Sequence, residues 1–256
     1  MKRTVAFALL LIAPAFGQSE DQLYADGKYD AAIRAGLADN SAHGFCDAAR
    51  AVLAEEASRD QRCLSCLKRA EDFARRAIAA DPKISDGYVY LAITLGLESR
   101  IEGYDVARSR DYAGKAKRAL DKALANDPNN VWALAGLGGW NIEVARGGGS
   151  LLAYLLYGAT VDRGRAYFAR AFSMAPDNTA IRYQYALTLA GYDAERSRTD
   201  IESSLSRAVN GRDDTTYGRL LQARARELLT LLRKGDAVMF AARVRTYEGY
   251  VTTAGG

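Results

Sequence analysis

Histidine is almost missing from this chain: His43 stands alone among 256 residues. A lone imidazole with no paired nucleophile or carboxylate signature reads as a surface or packing residue. No Ser/His/Asp arrangement and no full metal-ligand set is visible, so neither an enzyme nor a cofactor is expected. Strand signals are equally scarce. There is no run of alternating β-branched residues bounded by turns, which argues against a sheet. Beyond residue 17, no apolar stretch is long and uninterrupted enough to span a bilayer. The formal net charge is only +4, which does not point to nucleic acid as a partner. What the chain has in quantity is Ala, Leu and Arg, all good helix formers.

The first residues read differently from the rest. Lys2 and Arg3 precede the apolar run Val5 to Ala13, which Pro14 breaks. Ala15 and Gly17 then put small residues at −3 and −1 before Gln18. This order of charge, apolar core and cleavage site is that of a secretory signal, 1–17. The expectation is one soluble exported domain, 18–256, periplasmic or secreted, with its last few residues disordered.

Prolines number four, and three of them end similar segments: AEDFARRAIAADP, AKRALDKALANDP and GRAYFARAFSMAP. Aligned on Pro82, Pro128 and Pro176, the position twelve before is small (Ala70, Ala116, Gly164). Eight before stand Ala74, Leu120 and Phe168; five before is always alanine, Ala77, Ala123 and Ala171. Nine and ten after come Leu91-Ala92, Leu137-Gly138 and Tyr185-Ala186. Small residues let two helix backbones approach, and a large one a turn away fills the groove beside them. This is the tetratricopeptide pattern of antiparallel helix pairs, with each proline read as the start of the next helix. Weaker copies flank it: Gly27 to Ile33 and Leu53-Ala54 before, Ile201, Leu205, Ala208 and Ala223 after. The fold expected is an all-α solenoid of about five units and ten to twelve helices. The units are long, with insertions around 98–115 and 144–164, each read as a longer hairpin with a short extra helix. Insertions gathered on one edge often build a functional surface.

A narrower likeness rests on the order of those features. LDKAL at Leu120–Leu124 is followed by Leu137-Gly138-Gly139-Trp140, Glu143-Val144-Ala145 and, after an apolar insertion, Tyr157-Gly158. Over roughly 70–191 the chain resembles the regulator-of-microtubule-dynamics proteins and their bacterial relatives. The resemblance implies a helical repeat fold and a binding role. Tubulin binding itself does not carry over to an exported protein.

RCLSCLKRAED holds Cys63 and Cys66 at CxxC spacing. Haem attachment needs a His after the second cysteine, and Leu67 follows Cys66. Cys46 is placed roughly 18 Å from the pair, at the other end of a hairpin, beyond the about 7 Å that a disulfide allows. It reads as a free buried thiol. Three readings of the pair stay open: a local disulfide, packed thiols, and redox or metal use. Gly147 to Ser150 lacks the Lys of a phosphate loop and reads as a flexible turn. The apolar LLAYLLYG after it, Leu151–Tyr157, reads as a buried capping helix ahead of an exposed patch. The acidic pairs Glu55-Glu56 and Asp213-Asp214 read as solvated positions and a turn. The basic stretch from Arg219 to Arg245 reads as a terminal capping hairpin ahead of a contact with anionic lipid at the envelope or with an acidic partner.

In the repeat register Asp86, Val89, Ile93, Trp132, Ile142, Tyr183 and Leu187 would project into a concave groove. For Trp132 and Tyr183, burial between helices is an equal alternative. The functional expectation is a scaffold that binds a protein or peptide segment in that groove. A carrier of lipid or another small ligand, with a cavity walled by the 144–164 insertion, is the alternative.

Overall fold

The computed structural model describes residues 18–59 and 62–250. The expected leader and the last six residues lie outside the described residues. Among the described residues every regular element is a helix, fourteen in all. They pack largely in pairs along the chain. α1 (Glu20–Ala25) packs on α2 (Tyr29–Asp39), and α3 (Ala42–Ser58) on α4 (Leu64–Ala80). α5 (Ser85–Glu102) packs on α7 (Tyr112–Asn126), with the short α6 (Tyr104–Ser109) between them. α8 (Val131–Gly148) packs on α10 (Val161–Met174), with α9 (Ser150–Tyr157) between. α11 (Thr179–Asp193) pairs with α12 (Arg198–Val209), and α13 (Thr216–Lys234) with α14 (Ala237–Glu248). Each insertion thus contributes one short helix, which lifts the number above the ten to twelve expected.

The three prolines do not begin helices. Pro82, Pro128 and Pro176 each stand three residues before one, in a turn. The turn closes by Ile84 N–H to Asp81 O (3.1 Å), Asn130 N–H to Asp127 O (3.1 Å) and Asn178 N–H to Ala175 O (3.3 Å). The fixed φ of proline suits the second residue of such a turn. In the first two, the Asp81 and Asp127 side chains also accept from Lys83 N and Asn129 N. The helix then starts on its own cap: Asn130 and Asn178 side chains accept from the first free N–H groups of α8 and α11.

The small residues of the repeat lie where helices touch. Ala70, Ala77, Ala123 and Ala171 are fully buried. Phe168 is also fully buried, against Gly138: a Cβ there would lie 2.5 Å from the ring. A Cβ on Gly164 would lie 2.7 Å from the Gly138 carbonyl oxygen, so α8 and α10 meet backbone to backbone. Ile201, Leu205 and Ala208 are buried in α12, as a second helix requires, but Ala223 is exposed and Ala225 takes the packed position in α13.

The last hairpin is more than an end cap. α13 and α14 both pack on α11, and α13 also reaches α1 and α3. Thr216 donates to Ala25 O (3.1 Å) and Arg224 to Ala57 O (2.6 Å), partners 191 and 167 residues away. Of its basic residues, Arg219, Arg226, Arg233, Lys234 and Arg245 face solvent while Arg224 turns inward.

One contact between neighbouring pairs sets a firm spacing. A Cβ on Gly36 would lie 2.4 Å from Gly44 O, and one on Gly44 2.3 Å from Gly36 O. Backbone atoms cannot swing aside, so Gly36→Ala must push α2 from α3. The expected loss is about 1–3 kcal/mol of unfolding free energy, read by urea titration. An unchanged midpoint would mean that the two helices have slack.

Candidate functional site

The first helices α5, α8 and α11 carry the residues expected to line a groove. Most of them are core. Tyr183 and Leu187 of α11 and Ile142 of α8 are 4%, 3% and 0% exposed. They share one apolar cluster with Leu228, Leu229 and Leu232 of α13 and Phe240 and Val244 of α14. The C-terminal hairpin occupies the space that a partner segment was expected to enter. Val89 is buried for a different reason: it packs with Ala123 of α7 and Ala133 of α8. These four belong to the interior, not to a groove.

Three of the seven remain outside. Asp86 is exposed, Ile93 is 37% exposed and Trp132 is 42% exposed. Asn130 holds two of them in place. Its Nδ2 donates to Asp86 Oδ1 (2.7 Å) and Ser85 Oγ (3.0 Å). Its Oδ1 accepts from Trp132 N (3.0 Å) and Ala133 N (2.9 Å). Beside them lies an open depression of about 340 Å³ lined by Asp81, Lys83, Asp86, Asp127, Asn130 and the exposed His43. The arrangement offers an apolar indole, an aliphatic side chain and carboxylates on a rigid helical face.

The hairpin is locked by charges that no local pattern announces. Arg100 of α5 donates to Glu248 O (2.6 Å), and Arg146 of α8 donates to Glu248 Oε1 (2.7 Å). Glu143 stands 2.9 Å from Arg146 and 3.5 Å from Arg100, and Arg146 also donates to the Tyr250 hydroxyl. Gly191 makes room for the pair, since a Cβ there would fall 2.0 Å from Arg146 Nη1 and 2.1 Å from Glu248 Oε1. The partners are 102 and 148 residues apart in sequence.

Cys63 and Cys66 are joined as a disulfide at the start of α4, their Cα atoms 5.2 Å apart. Cys63 Sγ accepts from Cys66 N (3.1 Å) and so caps the helix. Glu56 is buried beneath it, 1% exposed, and accepts from Cys63 N (2.9 Å), with Arg59 Nε at 2.6 Å. The expectation of a solvated Glu56 therefore fails, because the turn into α4 folds over it; Asp213 and Asp214 do lie in a connection. Glu56, Cys63 and Cys66 bring three ligand-type atoms within 4.8 Å. They do not fit a zinc site as they stand: the sulfurs are bonded to each other, and a closed site takes four ligands. Cys46 is free and buried, and burial pushes its thiol up to about 12.

α9 departs most from its expectation. Ala153 is its one buried residue. Leu151, Leu152, Tyr154, Leu155 and Leu156 are 73%, 43%, 55%, 68% and 63% exposed. Ala153 and Tyr157 hold the helix down, Tyr157 meeting Trp140 edge-on at 5.9 Å between ring centres. Eight residues are too few to turn a second face inward while the other caps a core.

Comparison with models of known protein families finds no match, and comparison with curated proteins finds no relative.

Two outcomes are expected. Replacing both Cys63 and Cys66 by Ser removes a short covalent loop worth about 2 kcal/mol or less, while the serine hydroxyl in place of the Cys63 sulfur still caps α4. A denaturant titration losing much more would mean that the bond holds tertiary structure. The second concerns Glu248, whose carboxyl is raised to about 6 by burial first and Glu143 next, against the pull of Arg146 and Arg100. In the unfolded chain it titrates near about 4.3. Between those values the folded state keeps a proton that the unfolded state has lost. Stability from this group is therefore highest at low pH and falls by about 2 kcal/mol as pH rises through about 6. Hydrogen-exchange protection of α14 should follow that slope, and Glu248→Gln should flatten it. An equal slope in the variant would move the titration elsewhere.

Proposed function

We propose that the chain is a tetratricopeptide-like α-solenoid that serves as a non-enzymatic protein-interaction scaffold, exported after removal of residues 1–17. The order of paired helices, buried alanines and pre-helix proline turns fits that architecture. The likeness to regulator-of-microtubule-dynamics proteins over 70–191 supports the same repeat with enlarged units.

The observation that carries the binding role is the half-exposed Trp132, with Ile93 and Asp86 on the adjacent first helix. Equivalent space on α11 is filled by the chain's own hairpin. A large indole left uncovered on a rigid face is a favoured hot spot. Asp81, Asp86 and Asp127 outnumber Lys83 around the depression at Asn130, the residue that caps the helix start carrying Trp132, and so favour a partner segment with an Arg or Lys beside an apolar anchor. The groove is thus shortened to the α5–α8 part. The carrier alternative needs a chamber under the 144–164 insertion, and the leucines that would wall one face solvent.

Native mass spectrometry of the protein taken gently from its own cell envelope tests this reading. A co-purifying polypeptide is expected, and Trp132→Ala should release it. Because the indole is half outside, that variant should change unfolding free energy by no more than about 1 kcal/mol. Retention of the partner by Trp132→Ala would refute the site. A bound lipid or small-molecule mass in place of a polypeptide would favour the carrier.

A further inference from the structure

At 3.6 residues per turn, Leu151, Leu152, Tyr154, Leu155 and Leu156 fan over about 200° of α9. A helix that packs on protein buries an apolar stripe of roughly half that width. A flat or grooved protein surface would leave some of these leucines wet, whereas a fluid hydrocarbon layer covers the whole arc. Area argues the same way. The five side chains offer on the order of 500 Å², below the roughly 800 Å² per partner that a stable protein interface buries. A second copy of this chain, meeting α9 alone, would not be held.

We propose that α9 is an interfacial anchor that beds its outward arc into a lipid bilayer, lying along the surface and not crossing it. Among the described residues no helix is long and apolar enough to cross, and α9 itself has eight residues. No charged residue stands between Arg146 and Asp162, so nothing in the stretch opposes entry into the acyl boundary. The mount is firm. Ala153 and Ala159 are buried beside Trp140, whose Nε1 donates to Ala113 O of α7 (2.9 Å). Gly149 and Gly158 turn the chain at both ends with φ of 75° and 64°. Arg163 donates to Gly158 O and stands at the rim. α6 joins the same edge, since its Ala107 packs on the cluster that holds Ala153. Its Tyr104, 59% exposed, adds to Tyr154 an aromatic suited to the headgroup level. Arg108 and Arg110 lie there too, but Glu102, Asp105 and Asp162 offset them and Arg163. The attraction is therefore apolar, and anionic lipid is not required.

The test uses the full chain with an environment-sensitive NBD dye on Leu151→Cys. Cys46 is buried and the other two sulfurs are bonded, so the dye goes to the new thiol. Vesicles of phosphatidylcholine should shift its emission to the blue and brighten it. The same dye on Asn129→Cys, exposed in the turn that precedes α8 at the end remote from α9, should not respond. Adding Leu155→Glu and Leu156→Glu to the labelled chain should weaken the partition at least tenfold, with helicity and melting unchanged because both positions face solvent. Trp132→Ala should keep the full lipid response, which separates this proposal from the scaffold reading. A dye at 151 indifferent to saturating lipid, or a response the two glutamates leave intact, would overturn it. So would a dimer in sedimentation velocity that the two glutamates split, since the arc would then belong to a second copy.

Discussion

The apolar face of α11 that carries Tyr183 and Leu187 must be covered. Here the chain covers it itself, and the rest of the molecule depends on that closure. α13 and α14 bring Leu228, Leu232, Phe240 and Val244 onto α11 and into the cluster that holds Tyr183 and Leu187. Without them these side chains would meet water, at roughly 1.5–3 kcal/mol for each large one. The apolar contact is non-directional, so something else must fix the register. Arg100 and Arg146 do this by meeting Glu248 at the end of α14. A buried ion pair adds little net stability against an apolar substitute but strongly penalises a half-made one. It therefore specifies one seating of the hairpin.

Closure also decides what is left for recognition. Two surfaces that remain among the described residues sit at opposite ends of α8. Trp132 stands at its start beside Asp86, and α9 follows its end. Eighteen residues of helix separate them by about 25 Å. Trp140 in the middle ties α8 to both insertions, through Ala113 O on one side and Tyr157 on the other. A rigid spacer with a partner-binding face at one end and a bilayer-seeking helix at the other would present a bound segment at a set height above a membrane.

Much of the fold is legible in local chemistry. The alanines at fixed distance before each proline are buried because close helix approach tolerates only small side chains. The insertions show because they lengthen a recurring unit. The helices start three residues later than the prolines suggest, since X-Pro serves a turn as readily as a helix start; the Asx contacts of Asp81 and Asp127 decide the first two, and a backbone turn closes the third. Of the candidate groove, Asp86, Ile93 and Trp132 are outside. Val89, Ile142, Tyr183 and Leu187 are not, and nothing near them in sequence could say so: what covers Tyr183 and Leu187 is α13 and α14, which begin about thirty residues further on, and Ile142 lies against Gly164 of α10.

The helical class, the pairing of helices and the close contacts between them were settled by the order of residues, because these follow from patterns that repeat within one or two turns. The same order marked Leu151–Leu156 as apolar and Cys63–Cys66 as able to meet. Which apolar side chains stay wet was left to the packing of distant elements. Burial is a property of what arrives from elsewhere in the chain: α13 returned to seal Tyr183, the turn into α4 folded over Glu56, and among the described elements none covers the outer arc of α9. Hydrophobicity is written in each residue, but its partner is chosen by the geometry of the whole.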